Sequence, residues 1–488
     1  MHRSRTVQSW LIVVVCLLLA ESSRASKTEA IWQKEIKNKL SVEIKKSKAA
    51  ESDFGILIQT GEGEDEATIL SINAERPMSP ASVTKLATGA AALTAFPPGT
   101  KFKTKLMSSA RIEKGVLKGD LYLVGDGDPS FVSETMWYLV NVLTRSQIRT
   151  IEGNIVVDDT KFDKLRYDPS RSPERVDRAY DSPVGAMSFN WNAVNIFIRP
   201  GKEQGDVAQV FVDPENEYIR LVGKVSTGRG NSKDDIAVSR VETKDFWGDV
   251  ISVGGKTGIG LKEVVIFKNV TSPDLWAGGN LKSFLAQRGI ETKGKVTTGQ
   301  TPAGATLLAE SEGSTIERIL ADMNKFSNNF VAEMITKNIS AKRKTPGTID
   351  DGMKAIEEYL LSLKIPREQF SLTNPSGLTR DNKISANALN RILEEMKHDF
   401  QYQPEFLTSL PIGGIDGTLK NRMRNTAATR WVRAKTGSIN QVVSLAGYAG
   451  RKDGHVLTFS FIYNGNVSET VIRGLFDKMA AVMVSAGE

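Results

Sequence analysis

Histidine and cysteine are almost missing from this chain. Only three of its 488 residues are histidine and one is cysteine. His2 lies in the leader described below, and His398 in "MKHDF" and His455 in "KDGHV" sit in polar, surface-like contexts. No G-x-S-x-G elbow occurs, so neither a Ser-His-Asp triad nor a histidine metal cluster has support. Cys16 lies inside the apolar run Trp10–Ala20, which leaves the rest of the chain without thiols. Disulfides, thiol catalysis and cysteine-metal sites are thereby excluded outside that run. Long apolar runs are also lacking. The stretch 10–20 is short of the roughly 20 residues a membrane span needs. With Arg3 and Arg5 before it and "SSRAS" after it, it reads as a signal peptide over 1–25, cleaved after Ala25. Val13, Val14 and Val15 precede Cys16 with no small residue beside it, which argues against a lipid anchor there. Arginine-rich or basic–aromatic arrays are absent, so nucleic acid is not an expected partner. The net charge is a mild +7, the reading of a solvated surface rather than of a polyanion binder.

What is present is a chain too long for one ordinary core, so two or more domains are expected. "IWQKEIKNKLSVEIKKS" has helical spacing and many charges and predicts an exposed helix. "FGILIQT" and "ATILSINAE" predict two strands joined by the acidic turn "GEGEDE". The second half of "MSPASVTKLATGAAALTAF" is small or apolar all round and predicts a helix buried on every side. From 97 to 302 short strand-like runs dominate, among them "FKTKLMSSARI", "GDLYLVG", "GNIVVDD", "NIFIRP" and "EVVIFKNV", interrupted by one helix near "ETMWYLVNVLTRSQI". This predicts an inserted β-rich module between two parts of another domain, 26–96 and 303–488. Helices return in "STIERILADMNKFSNNFVAEMITKNI" and "IDDGMKAIEEYLLSLKI". A β-meander over "TRWVRAKTGS", "VVSLAGYAG" and "HVLTFSFIYN" then leads into a last helix with Ser468 as its expected N-cap.

With histidine scarce, lysine is the candidate base. Ser82 and Lys85 in "PASVTKL" are three apart at the start of the buried helix, on one helical face. A helix start also offers unpaired N–H groups against a developing oxyanion. Burial and a second cation nearby would favour the neutral amine that a base requires. "KFSNNFVAE" supplies Ser327 and Asn329, an S-x-N pair that could relay a proton and hold an amide, although such pairs often only cap helices. Lys-Thr-Gly occurs twice, at Lys256–Gly258 and Lys435–Gly437. The first copy lies in the glycine-rich "GGKTGIG" and precedes S-x-N; it reads as a turn. The second follows a strand-like stretch and comes after S-x-N, where a strand edge can pair with an extended peptide.

S-x-x-K, S-x-N and K-T-G in that order are the shared signature of β-lactamases and penicillin-binding proteins. With "GDLYLVGDGDPSF", "GNIVVDDTKFD", "NPSGLTRDN" and "IGGIDGTLKNRM", and with a long insertion between the first two motifs, the chain resembles the low-molecular-mass class C penicillin-binding proteins, the D-alanyl-D-alanine carboxypeptidase/endopeptidases. The resemblance implies an α/β (α+β) fold in which an antiparallel sheet flanked by helices carries a β-rich insertion. It implies Ser82 as nucleophile, Lys85 as base, and Ser327 with Lys435 as proton relay. The N–H groups of Ser82 and Ser438 would form an oxyanion hole beside Gly437, Thr436 and Lys435 would bind the terminal carboxylate, and Asn329 the substrate amide. Asp158, with Arg380 as companion, would hold the free amine of a diamino acid. The implied partners are peptidoglycan peptides and β-lactam antibiotics, with no metal or cofactor, in the periplasm or an equivalent cell-wall space. Two alternatives stay open. A β-lactamase would need a deacylating glutamate, for which Glu358 is the nearest candidate although it reads as a solvated helix position. A non-catalytic penicillin-recognising sensor would keep the same residues.

Overall fold

A computed structural model of the protein describes residues 31–61, 67–170, 177–233, 235–241, 243 and 245–486. The expected leader over 1–25 and most of the acidic turn after Thr60 lie outside the described residues. Five strands form the sheet that matters most here: β1 (Phe54–Thr60), β2 (Ala67–Ile72), β3 (Val432–Ile439), β4 (Val442–Gly450) and β5 (Val456–Asn464), in the order β2-β1-β5-β4-β3. All pairings are antiparallel, and β1 joins β5 from Phe54 opposite Tyr463 to Gln59 opposite Thr458. The two parts of the chain flanking the insertion thus build one sheet, with β3 at its edge.

The helices that cover this sheet are α1 (31–46), α2 (Lys85–Ala95), α3 (Ile316–Lys325), α4 (Asn329–Arg343), α5 (Ala386–His398) and α6 (Glu469–Ser485). One face is packed by α1 and α6. Trp32, Ile36, Leu40 and Ile44, spaced four apart, are buried with Ile472, Phe476, Met479 and Met483. The first helix is therefore not simply exposed: its charges face water and its apolar stripe is a core face. Ser468 does stand at the N-cap of α6, but its side chain makes no capping bond. The other face holds α2, α3, α4 and α5, whose core includes Leu86, Leu93, Met323, Phe330, Leu389 and Ile462. Every position of α2 from Lys85 to Leu93 is buried, as its all-round small and apolar composition predicts. Fully burying a side chain such as Leu86 or Leu93 is worth about 1.5–3 kcal/mol, enough to hold the helix at the middle of the domain.

The insertion has its own core, with Phe131, Leu139, Phe189, Trp276 and Phe284 among its buried members. A five-stranded sheet runs in the spatial order Val296–Thr298, Ile155–Asp158, Leu121–Val124, Lys101–Ser108, Thr306–Thr315. Because Thr306–Thr315 pairs with Lys101–Ser108, the module's return strand runs beyond the expected boundary at 302. A second helix, Pro273–Gln287, joins the expected one at Ser133–Thr144. Its Gly278 and Gly279 lower helix propensity, and burial on nearly all sides erases the stripe that would reveal it. The module docks on α4. Phe162 belongs to the core that contains α4. The buried Lys337 pairs with Asp163 at 2.5 Å and donates to Leu165 O at 2.6 Å, and Asn338 Nδ2 donates to Gly127 O at 2.7 Å.

Candidate active site

The stretch that reads as one long helical run is broken where chemistry is expected. α3 ends at Lys325 and α4 starts at Asn329. Between them Ser327 adopts φ 56°, a left-handed backbone that costs a non-glycine residue energy and that is concentrated at functional sites. Asn328 caps α4 by accepting from Val331 N at 3.2 Å. The break turns Ser327 and Asn329 toward the start of α2, where Ala81–Thr84 form a 3-10 turn with Ala81 also at positive φ, 49°.

Ser82, Lys85, Ser327, Asn329 and Lys435 meet there. Lys85 is fully buried, and its Nζ lies 3.1 Å from Ser82 Oγ, 2.8 Å from Asn329 Oδ1 and 2.5 Å from Ser376 O. Ser82 Oγ is 3.4 Å from the same Ser376 carbonyl. The two carbonyl oxygens only accept. An unprotonated amine that gives its two protons to them keeps its lone pair for the Ser82 hydroxyl. Lys435, equally buried, donates to Ser327 Oγ and to Thr436 O, each at 2.8 Å. Burial pulls its ammonium from 10.5 down to about 7, so near neutrality it can both give and take a proton.

The edge strand β3 supplies the third wall. Gly413 N donates to Val432 O and Ala434 N to Pro411 O, so the even-numbered residues turn their backbone groups away from β4. The amides of Thr436 and Ser438 therefore face outward along the free edge. Gly437 is required by close approach. A Cβ there would lie 2.2 Å from Ser444 Oγ, 2.7 Å from Pro80 O and 3.0 Å from Ser82 N. The strand backbone thus passes against the amide of Ser82, and the Ser82 and Ser438 N–H groups can face one developing oxyanion. Thr436 Oγ1 donates to Thr418 Oγ1 at 2.8 Å. The loop bearing Thr418 is pinned beside Ser327 by Lys325, which pairs with Asp416 at 2.6 Å and donates to Leu410 O at 3.0 Å. Ser438 Oγ donates to Glu469 Oε2 at 2.7 Å.

The chain matches the model of the D-Ala-D-Ala carboxypeptidase 3 (S13) family over residues 36–485. The chain belongs to that family. Relatives of this S13 enzyme include the D-alanyl-D-alanine carboxypeptidase of Actinomadura sp. (strain R39), 31% identical over 427 residues, which span 84% of this chain and 77% of the relative. They also include the D-alanyl-D-alanine carboxypeptidase DacB of Haemophilus influenzae, 26% identical over 400 residues, 81% of this chain and 82% of the relative. The crystal structure of penicillin binding protein 4 (dacB) from Haemophilus influenzae superposes with a TM-score of 0.74 at 24% identity, covering 88% of this chain and 96% of that one. The S13 enzyme therefore has the penicillin-binding-protein fold, with helices flanking an antiparallel sheet and a large insertion.

The other predicted residues fall elsewhere. Lys256 is not in a turn but on the strand Asp249–Gly258, paired with Ser226 in a separate four-stranded sheet of the module. Glu358 is exposed and pairs with Arg343. Arg380 is exposed and donates to Gln441 Oε1 at 3.2 Å, beside the turn between β3 and β4. Asp158 is not drawn into the cluster. It is buried at the end of its strand, with Oδ1 accepting from Thr160 N and Oγ1 and Oδ2 from Thr301 N at 2.7 Å. These bonds hold its carboxyl below the ordinary aspartate range despite its burial, the largest single influence, which pushes the other way. Sequence reasoning assigns no role to Ser376, Asn374 or Thr418, although "NPSGLTRDN" and "IGGIDGTLKNRM" mark the segments that carry them.

Proposed function

We propose that this S13 enzyme hydrolyses the bond between the two terminal D-alanines of peptidoglycan stem peptides through an acyl-enzyme on Ser82. The observation that carries the reading is Lys85 Nζ at 3.1 Å from Ser82 Oγ, held there by two carbonyl acceptors. Ser82 Oγ attacks the penultimate D-Ala carbonyl as its proton passes to Lys85, and the Ser82 and Ser438 amides receive the oxyanion. The C–N bond breaks and the leaving amine takes that proton, passed on from Lys85 through Ser327 and Lys435, so Lys85 is neutral again. Lys85 then takes a proton from the water that attacks the ester and returns it to Ser82 Oγ as the shortened peptide leaves. Lys435, Thr436, Gly437 and Ser438 present the terminal carboxylate site and the free strand edge, and Asn329 Nδ2 donates to the substrate backbone. A β-lactam, whose strained amide lies where the peptide bond would, acylates Ser82 and stops there.

The test is release of D-alanine from a pentapeptide ending in D-Ala-D-Ala. The wild type should release it with turnover, and S82A and K85A, folded by near-UV circular dichroism, should neither release it nor take up a fluorescent penicillin. Stoichiometric labelling of the wild type without turnover would instead identify a sensor. A cross-linked dimer run beside the pentapeptide reports the endopeptidase balance.

We also propose export with cleavage after Ala25. Mass spectrometry of the exported protein should find a chain starting near Ser26 without a thiol. A retained Cys16, or a lipid on it, would refute that.

A further inference from the structure

The carbonyl that orients Lys85 is not held by its own domain alone. Ser376 lies in the loop 373–382, and its conformation is set by the fully buried side chain of Asn374. Asn374 Oδ1 accepts from Ser376 N at 2.9 Å, Ser376 Oγ at 2.7 Å and Gly377 N at 2.8 Å. That arrangement fixes which way the amide faces: with Oδ1 taken by the loop, Nδ2 points outward as a buried donor in need of an acceptor. The acceptor is Asp168 Oδ2 at 2.8 Å, from the inserted module. Asp168 is itself buried, and its other oxygen accepts from Ser170 N at 2.9 Å and Ser170 Oγ at 2.6 Å. On the far side the loop is pressed against the nucleophile's own turn. A Cβ at Gly377 would lie 2.0 Å from Ala81 O, and Thr88 Oγ1 donates to Pro375 O at 2.8 Å.

We propose that Asp168 is a positioning residue for the acylation step: through Asn374 it fixes the Ser376 carbonyl, and that carbonyl aims the Lys85 amine at Ser82. The inference rests on the catalytic reading above and gives the insertion a part in it. Asp168 itself bonds to Ser170 and Asn374 and not to a reacting group. It supplies the last acceptor in a chain of buried hydrogen bonds that ends 3.1 Å from the nucleophile. Misplacing a base by about 1 Å can cost on the order of a hundredfold in rate, and loosening Ser376 takes away one of the two carbonyls that aim Lys85.

The experiment separates binding from chemistry. Saturation kinetics with a fluorescent penicillin give K for reversible binding and k2 for acylation. D168N keeps volume and an acceptor for Ser170, but sets an N–H against Asn374 Nδ2. Its k2 should fall on the order of 10- to 100-fold, with K little changed because β3 still holds the carboxylate. The charge-conserving swap D168N/N374D reverses donor and acceptor. The amide introduced at position 168 then donates to the carboxylate introduced at position 374, whose other oxygen still serves the loop amides, and k2 should return to within several-fold of wild type. D163N, at the module's contact with Lys337 and unconnected to Ser376, should keep wild-type k2. A D168N enzyme with wild-type k2, a swap variant no faster than D168N, a D163N loss equal to that of D168N, or a D168N chain that does not fold would each overturn the proposal. Failure of the underlying reading looks different: K85A would then be acylated as fast as wild type.

Discussion

Lys435 offers a test in which stability and activity move in opposite directions. Its side chain is fully buried, and its ammonium titrates near 7 in the fold against 10.5 unfolded. At about 1.4 kcal/mol per tenfold change, forcing this lysine toward neutrality costs about 4–5 kcal/mol at pH 7. The bonds to Ser327 Oγ and Thr436 O return about 1 kcal/mol each. K435M, similar in length and apolar, removes the penalty and both bonds, so it should gain roughly 2–3 kcal/mol of stability at pH 7 while losing acylation by penicillin. The sign of the pH effect follows from proton counting. Between about pH 7 and 10.5 the unfolded wild type binds the proton that the folded form has released, so wild-type stability rises with pH over that window. K435M lacks the group, and all other titrations are common to both proteins. Urea denaturation at pH 7 and pH 9 should therefore show the variant's advantage shrinking by roughly 2 kcal/mol. Parallel stability–pH curves for the two proteins, or a K435M less stable than wild type at pH 7, would refute the claim that burial neutralises Lys435.

K256A should keep full acylation, while K435A loses nearly all of it, because Lys256 lies on a module strand away from Ser82; labelling with a fluorescent penicillin ranks the two, and the reverse order would overturn the site assignment. H398A and H455A should stay within a few-fold of wild-type turnover, since His398 pairs with Glu394 on the surface and His455 packs on Trp32; a large loss in either, with the fold intact, would reopen a histidine mechanism. D158N should lower the melting temperature by weakening the Thr301 contact, at an expected cost of about 1–3 kcal/mol, without changing the ratio of turnover on peptides with and without a free side-chain amine. A loss confined to the amine-bearing peptide would instead show Asp158 to be a specificity residue.

What sequence shows and hides here follows from the range of each interaction. The three motifs are legible because each is local: S-x-x-K sits on one helical face, S-x-N occupies a helix break, and K-T-G lies within one strand. Their meeting is legible only through their order and the resemblance it carries. The break at Ser327 is invisible to periodicity, since apolar residues keep helical spacing on both sides of it and a positive φ has no side-chain signature outside glycine. The helix Pro273–Gln287 is hidden because burial on most sides leaves little polar face to contrast with. Asp168 and Asn374 are hidden for a different reason. They are polar residues in loops 206 positions apart, where Asp and Asn ordinarily mark turns, and only the folded arrangement shows that each completes the other.

The pairing of β1 with β5 constrains how this enzyme comes into being. Phe54 faces Tyr463, so the centre of the sheet cannot form until the whole insertion and the following helices have been synthesised. Closing so wide a loop is slow compared with forming contacts near in sequence, whereas the insertion has a core of its own that can collapse first. Until the chain beyond the insertion emerges, the apolar surface of α2, with Leu86, Ala90 and Leu93, lacks the helices α3, α4 and α5 that cover it, and such surfaces are where partly folded chains aggregate. The same delay is protective. Lys435 arrives on β3, late in the chain, and an incomplete polypeptide therefore carries Ser82 without the strand edge that would bring a substrate or a β-lactam to it.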